Sequence, residues 1–167
     1  MIETQRLVSL PLGQQELRTY INHLPDFEAD HDLQPSHHQH TDDLLWMVST
    51  ITEPTFKFSS NVSLYYTIWV VYDKATQQLV ADWGFKGPPD PNGSIEIGYG
   101  THPGQRGRGY MTEIVGGIVA WARQHPPIRQ VRAETEVTNL VSQAVLRRNQ
   151  FVAGAEHDGL ISWSYTI

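Results

Sequence analysis

Apolar residues recur along this chain at two spacings, and each change of spacing marks a change of element. Over residues 14–24 the side chains Leu17, Tyr20, Ile21 and Leu24 share one helical face. Over about residues 107–124 the same spacing places Met111, Ile114, Val115, Ile118, Val119 and Ala122 together. Two more helices are predicted: one capped by Thr41, with Asp42 and Asp43 in its first turn, reaching about residue 51, and one over residues 139–149. Strand-like runs occupy residues 5–10, 64–72, 78–85, 94–101, 130–137, 151–155 and 160–166. Turn residues at 74–77 and 88–93 join three of them closely, which predicts an antiparallel meander. Residues 25–40 carry Pro, Asp and His throughout and read as a loop or irregular helix. Gly116 and Gly117 lie inside the long helix, where each costs about 1 kcal/mol relative to Ala, so close packing on the sheet is expected there. The order is α+β, a mixed, mostly antiparallel twisted sheet of about six or seven strands with helices on both faces.

Composition narrows this picture. A chain of 167 residues, 40% hydrophobic and with five Trp, is expected to form a single domain over residues 1–167. The absence of cysteine excludes disulfides, thiolate-ligated zinc and a catalytic thiol. No apolar run reaches membrane-spanning length and residues 1–6 show no signal-peptide pattern, so a cytoplasmic protein free of membrane is expected. The net charge of −6 argues against general nucleic-acid binding and mildly favours a cationic partner such as an amine.

Residues 94–113 carry the strongest chemical signal. A strand ends in a glycine-dense turn, Gly104-Gln105-Arg106-Gly107-Arg108-Gly109, and a helix follows. Such a turn leaves several N–H groups pointing outward, and the helix adds its first-turn N–H groups and positive dipole end. The combination binds an anion, most readily a phosphate or pyrophosphate. A Walker A loop needs Gly-Lys-Ser/Thr where this chain has Gly109-Tyr110-Met111, and the glycine order does not fit G-x-G-x-x-G. Glu96 lies on the strand just upstream.

The stretch resembles motif A of the GNAT superfamily of acetyl-CoA-dependent N-acetyltransferases, Q/R-x-x-G-x-G/A, with Arg106 and Gly109 at its first and fourth positions. Met111 stands where Gly or Ala is usual. Gly-Arg-Gly-Tyr-Met-Thr-Glu113 is similar to the branch of ribosomal-protein alanine acetyltransferases, as are residues 3–7. So is Asn139-x-x-Ser142-x-x-x-Leu146-x-x-x-Gln150-Phe151, in which Gln150 replaces a usual Gly. The resemblance covers nearly the whole chain.

It implies transfer of an acetyl group from acetyl-CoA to a primary amine by direct attack, the acceptor being a small amine or a protein N-terminus. Only a neutral amine attacks. At pH 7 roughly 0.04% of a lysine-like amine is neutral, against roughly 10–17% of a peptide α-amine, so a base matters more for the former. The resemblance makes Glu96 the candidate base, directly or through water, and Ser142 the hydroxyl near the sulfur. Leu146 stands where many members carry a tyrosine acid; the branch suggests Ser142 as its substitute, with Tyr99 or Tyr110 as the fallback. It places the pantetheine arm along Tyr99, Gly100 and Thr101. The pyrophosphate falls on Arg106, Gly107, Arg108, Gly109, Tyr110 and Met111, with Asn139 near the cofactor. The two glycines suggest a bulge at Gly98–Gly100 that frees an N–H for the thioester oxygen, and the resemblance implies a splay of the strands at this point that admits the pantetheine arm.

Alternatives remain for several features. The turn alone also fits a non-catalytic CoA- or nucleotide-binding module. His31, His37, His38 and His40 match no zinc spacing, so no metal is expected and a solvent-exposed loop is preferred, with an acceptor-pocket role as the alternative. Tyr65, Tyr66, Trp69 and Trp83 read as core or sheet-face aromatics ahead of substrate contacts. The acceptor pocket is expected within residues 25–60, and either a monomer or a homodimer fits.

Overall fold

The computed structural model describes residues 1–52 and 63–167. Their framework is one sheet of eight strands: β1 Ile2–Glu3, β2 Leu7–Pro11, β3 Ile68–Asp73, β4 Gln78–Phe85, β5 Ser94–Thr101, β6 Gln130–Glu136, β7 Val152–His157 and β8 Leu160–Thr166. Their order in space is β1-β2-β3-β4-β5-β6-β8-β7. Every neighbouring pair is antiparallel except β5 and β6, which run parallel. A parallel pair needs a crossover, and the long helix supplies it. The strand beyond the expected six or seven is β1, a two-residue pairing of Ile2 and Glu3 with Ser9 and Val8.

Among the described residues five α-helices flank the sheet: α1 Gln14–Asn22, α2 Leu24–Asp30, α3 Asp42–Met47, α4 Tyr110–Ala122 and α5 Leu140–Arg148. On one face α4 and α5 bury Met111, Ile114, Val115, Ile118 and Leu146 against Trp69, Trp83, Phe85, Ile95, Ile97 and Trp163. On the other, α1 to α3 bury Leu17, Tyr20, Phe27 and Leu44 against Ile68, Val70 and Leu79. Truncating a fully buried member such as Ile114 to Ala would cost about 2–5 kcal/mol. Trp69 and Trp83 stack at 4.8 Å inside the first cluster, which makes them core side chains. Their indole N–H groups are satisfied by the Leu64 carbonyl and the Ser9 hydroxyl.

Several boundaries differ from expectation for local reasons. Residues 25–40 contain a regular helix, because Pro25 occupies the first turn of α2, where its missing N–H costs nothing. Thr41 caps α3 through its hydroxyl, as expected, but the α-helix ends at Met47 and continues as a π-turn over Val48–Thr52. The strand at 64–72 begins only at Ile68, since Ser63–Tyr65 forms a 3-10 turn. Helix α4 starts at Tyr110 rather than residue 107. Gly107 and Gly109 both have φ of +77°, a left-handed conformation that a right-handed helix cannot contain. Gly117 gives the expected close packing: an added Cβ would lie 2.9 Å from Thr4 Cγ2 and 3.1 Å from Ile2 Cγ2. Among the described residues no helix is long and apolar enough to cross a membrane.

Candidate active site

The site is built where β5 leaves β6. Their pairing covers only Ser94, Ile95 and Glu96, opposite Gln130, Val131 and Arg132. Beyond Glu96 the strands part, and β6 continues on β8 alone. On its other edge β5 stays paired with β4 without interruption from Phe85↔Ile97 to Ala81↔Thr101. The bulge expected at Gly98–Gly100 is therefore absent. The splay implied by the resemblance is present instead, as the divergence of β5 from β6.

This divergence fixes which backbone groups are free. The N–H of Lys86 donates to the Glu96 carbonyl, and the N–H of His102 donates to that of Val80, so both residues turn toward β4. The last ladder pair, Glu96↔Arg132, engages the Ile97 N–H, so by alternation the Ile97 carbonyl, the Tyr99 N–H and C=O and the Thr101 N–H turn into the gap. These are unpaired groups at the end of a strand, suited to an extended amide-bearing ligand. Across the gap lies the first turn of α5. Asn139 caps it, its Oδ1 accepting from the Ser142 N–H at 3.0 Å. The Tyr99 hydroxyl donates to the Ser142 carbonyl at 3.4 Å. Burial pushes the Tyr99 phenol well above its ordinary pKa, so it remains a donor at neutral pH.

The anion loop follows at the end of β5. Pro103–Gln105 makes one 3-10 turn, and the Gln105 N–H closes on the His102 carbonyl at 2.8 Å. Arg106 donates through Nε to the Thr101 carbonyl at 3.3 Å. Gly107 and Gly109, both left-handed, curl the chain into α4, and no described atom would lie within 4 Å of a Cβ at Gly104 or Gly107. The loop's far end is anchored by Arg6, whose guanidinium donates to Glu113 Oε2 at 2.6 Å and to the Arg108 carbonyl at 3.1 Å. A pyrophosphate fits this cradle: free N–H groups, a helix N-terminus, exposed Arg106 and Arg108, and no side chain over Gly104 or Gly107.

The other predicted residues divide. Tyr110 and Met111 turn their side chains into the core, at 5% exposure each, and Arg6 lies over the Tyr110 ring. They offer the loop only main-chain N–H groups, which removes Tyr110 as a substitute acid. Leu146 is fully buried, as a residue facing the α4 side must be. Glu96 sits on the opposite face of β5, in line with Gly98 and Gly100, above which no described atom would meet a Cβ within 4 Å. Its carboxylate forms an ion pair with Lys86, which also stands 3.6 Å from Glu134. Oε1 has no well-directed hydrogen bond among the described residues, so the carboxylate is held by charge alone.

The histidines overturn the expectation of a solvent-exposed loop. His31 stacks on Phe27 and meets the Phe27 carbonyl at 2.9 Å. His40 packs edge-on against Tyr20, and His38 stacks on His102. Only His37 is exposed. Among the described residues no three His, Asp or Glu side chains converge as metal ligands. Residues 53–60 of the expected acceptor pocket lie outside the described residues.

A divergent strand pair beside a glycine cradle is what the sequence resemblance requires. A family model described as the acetyltransferase (GNAT) domain matches residues 6–152. The chain belongs to the GNAT acetyltransferase family. An uncharacterized N-acetyltransferase of Bacillus subtilis, YjdG, is 32% identical over 97 residues, a match spanning 58% of each chain. Two solved structures share the fold of this GNAT chain. RimL, a ribosomal L7/L12 α-N-protein acetyltransferase in complex with coenzyme A, superposes with a TM-score of 0.64 at 18% identity, covering 98% of this chain and 96% of its own. An acetyltransferase of Agrobacterium tumefaciens superposes at 0.65 with 18% identity, covering 99% and 94%.

Proposed function

We propose that this GNAT chain transfers the acetyl group of acetyl-CoA to a primary amine, with a protein N-terminus or a small amine as acceptor. The observation that carries the reading is the gap beyond Glu96, into which the Tyr99 and Thr101 N–H groups turn next to the glycine cradle. The RimL neighbour is described as acting on a protein α-amine, which supports an N-terminal acceptor.

Acetyl-CoA supplies an activated thioester, and the protein's part is to orient it and manage charge. Backbone of Tyr99 and Thr101, on either side of Gly100, aligns the pantetheine arm, while the N–H groups of residues 107–111, with Arg106 and Arg108, hold the pyrophosphate. The amine approaches over Gly98 and Gly100. As its nitrogen bonds to the carbonyl carbon, the Tyr99 N–H stabilises the oxygen that gains charge. Glu96 takes the proton the nitrogen sheds, directly or through a water. When the carbon–sulfur bond breaks, the Tyr99 hydroxyl, beside Ser142, donates to the leaving sulfur.

Purified protein would be mixed with acetyl-CoA and a panel of peptides and small amines, and free thiol followed. Turnover with at least one amine is expected. Glu96→Gln should then lower kcat about 10²-fold or more for a lysine-like amine while acetyl-CoA still binds. Undiminished turnover in that variant would sink the base assignment. The Lys86–Glu96 ion pair favours a second reading, in which Glu96 is structural and the chain is a CoA-binding module. That reading predicts a CoA-dependent rise in melting temperature with no thiol release above background.

A further inference from the structure

One polar cluster takes no part in the proposed reaction. Asp82, on β4, is 9% exposed, and each carboxylate oxygen accepts one hydrogen bond. Oδ1 accepts from the Tyr20 hydroxyl of α1 at 2.6 Å, and Oδ2 from His102 Nε2 at 2.9 Å. His102, 4% exposed, is the residue at which β5 gives way to the anion loop. Its ring stacks on His38 with centroids 3.7 Å apart and planes 19° apart. His38 Nε2 lies 3.2 Å from the Tyr20 oxygen, and Nδ1 lies 2.8 Å from the Ser36 hydroxyl. Ser36 donates its N–H to Glu28 of α2 at 2.9 Å. The cluster thus joins α1, α2, the connection to α3, β4 and the start of the loop.

Counting donors assigns the protons. Burial opposes the Asp82 charge, but His102 and the Tyr20 hydroxyl outweigh it and hold the carboxyl below its ordinary pKa. An ionised Asp82 only accepts, so His102 carries its proton on Nε2 and Tyr20 spends its single proton on Oδ1. Removing either donor leaves a buried charge partly unmatched, which is costly. Beside the exposed bond from Arg106 to the Thr101 carbonyl, the loop is held at its two ends, by Arg6 at one and His102 at the other.

We propose that Asp82 is a positioning residue for cofactor binding: it holds His102 so that the loop's N–H groups face the pyrophosphate, and through Tyr20 and His38 it ties that geometry to the acceptor side of the sheet. The inference rests on the acetyl-CoA reading of the loop. Separation of the two is built into the experiment, which titrates coenzyme A calorimetrically into wild type, His102→Gln, His102→Leu and Asp82→Asn and records each melting temperature without ligand. Gln places an N–H near the reach of Nε2, whereas Leu fills space without a donor. The Kd for coenzyme A should rise about ten-fold in His102→Leu and Asp82→Asn, and His102→Gln should recover most of that loss. A Kd within about two-fold of wild type in His102→Leu, whatever its melting temperature, overturns the proposal. So does a His102→Gln variant that binds as weakly as His102→Leu. Should Asp82→Asn fail to fold, the two variants at 102 decide alone. If wild type itself does not bind coenzyme A, the site reading fails first and takes this inference with it.

Discussion

Tyr99 shows how a residue gains a role from its surroundings. On sequence it is one of two fallbacks, behind Ser142, for the tyrosine missing at Leu146. In the folded chain its hydroxyl reaches the Ser142 carbonyl at 3.4 Å across the gap, while Tyr110 is sealed under Arg6. Replacing Tyr99 by Phe should lower kcat about 10²-fold with little change in the KM for acetyl-CoA, because the lost group acts on the leaving sulfur. Steady-state kinetics beside Ser142→Ala separates the two hydroxyls. His38 carries a different prediction. Burial, then the neighbouring His102, lower its pKa from 6.5 to about 3. As pH falls below about 6.5 the unfolded chain takes up a proton at this position, and the folded protein does so only near 3. Its contribution to stability is therefore complete above 6.5 and is lost as pH falls toward 3. Melting temperatures measured from pH 7 to 4 should fall less steeply in His38→Gln than in wild type.

Among the elements, the junction of β2 with α4 is held by one carboxylate. Glu113 accepts from the Thr4 hydroxyl at 2.6 Å, the Arg6 N–H at 2.8 Å and the Arg6 side chain at 2.6 Å. Burial opposes its charge, but these donors and the guanidinium outweigh it and hold its pKa below the ordinary value of 4.5. A depressed carboxylate stabilises above its unfolded pKa and stops doing so as pH falls through the folded one. Glu113→Gln should therefore lower the melting temperature at pH 7, and the difference from wild type should close as the carboxylate is titrated with acid. It should also weaken coenzyme A binding, because Arg6 would release the Arg108 carbonyl. A variant equal to wild type at pH 7 in both measurements would contradict this. The same elements show what was legible beforehand. Gly107 and Gly109 announced the cradle because left-handed backbone demands glycine, and Asn139 announced α5 because a cap is a local hydrogen bond. Helix α2 stayed hidden behind Pro25, since a proline reads as a break until its place in the first turn is known.

At the scale of the whole molecule, the two cores lie on opposite faces of one sheet, and the proposed cofactor slot lies where that sheet splits. A ligand bound there bridges β5, the loop and α5, and so favours the folded state as a unit. Coenzyme A at about a hundred times its Kd should add about 2.7 kcal/mol. For a chain of this size that corresponds to a rise of about 5–11 °C in melting temperature. A scan with and without coenzyme A checks it, and no shift would contradict the slot.

Sequence alone determined the elements whose causes are local: helical faces, turn glycines, caps and the succession of most strands along the chain. It also carried the family, because the glycine motif and the α5 motif keep fixed spacings. The tertiary structure decided what depends on distant partners. Whether β5 bulges or splits depends on β6, more than thirty residues later, and the split fixes which N–H groups are free. Whether a histidine is exposed or locked depends on Asp82 and Tyr20, which are far from His102 in the chain and within hydrogen-bonding reach in the fold. Periodicity reports the face a side chain takes; only packing selects the partner it meets there.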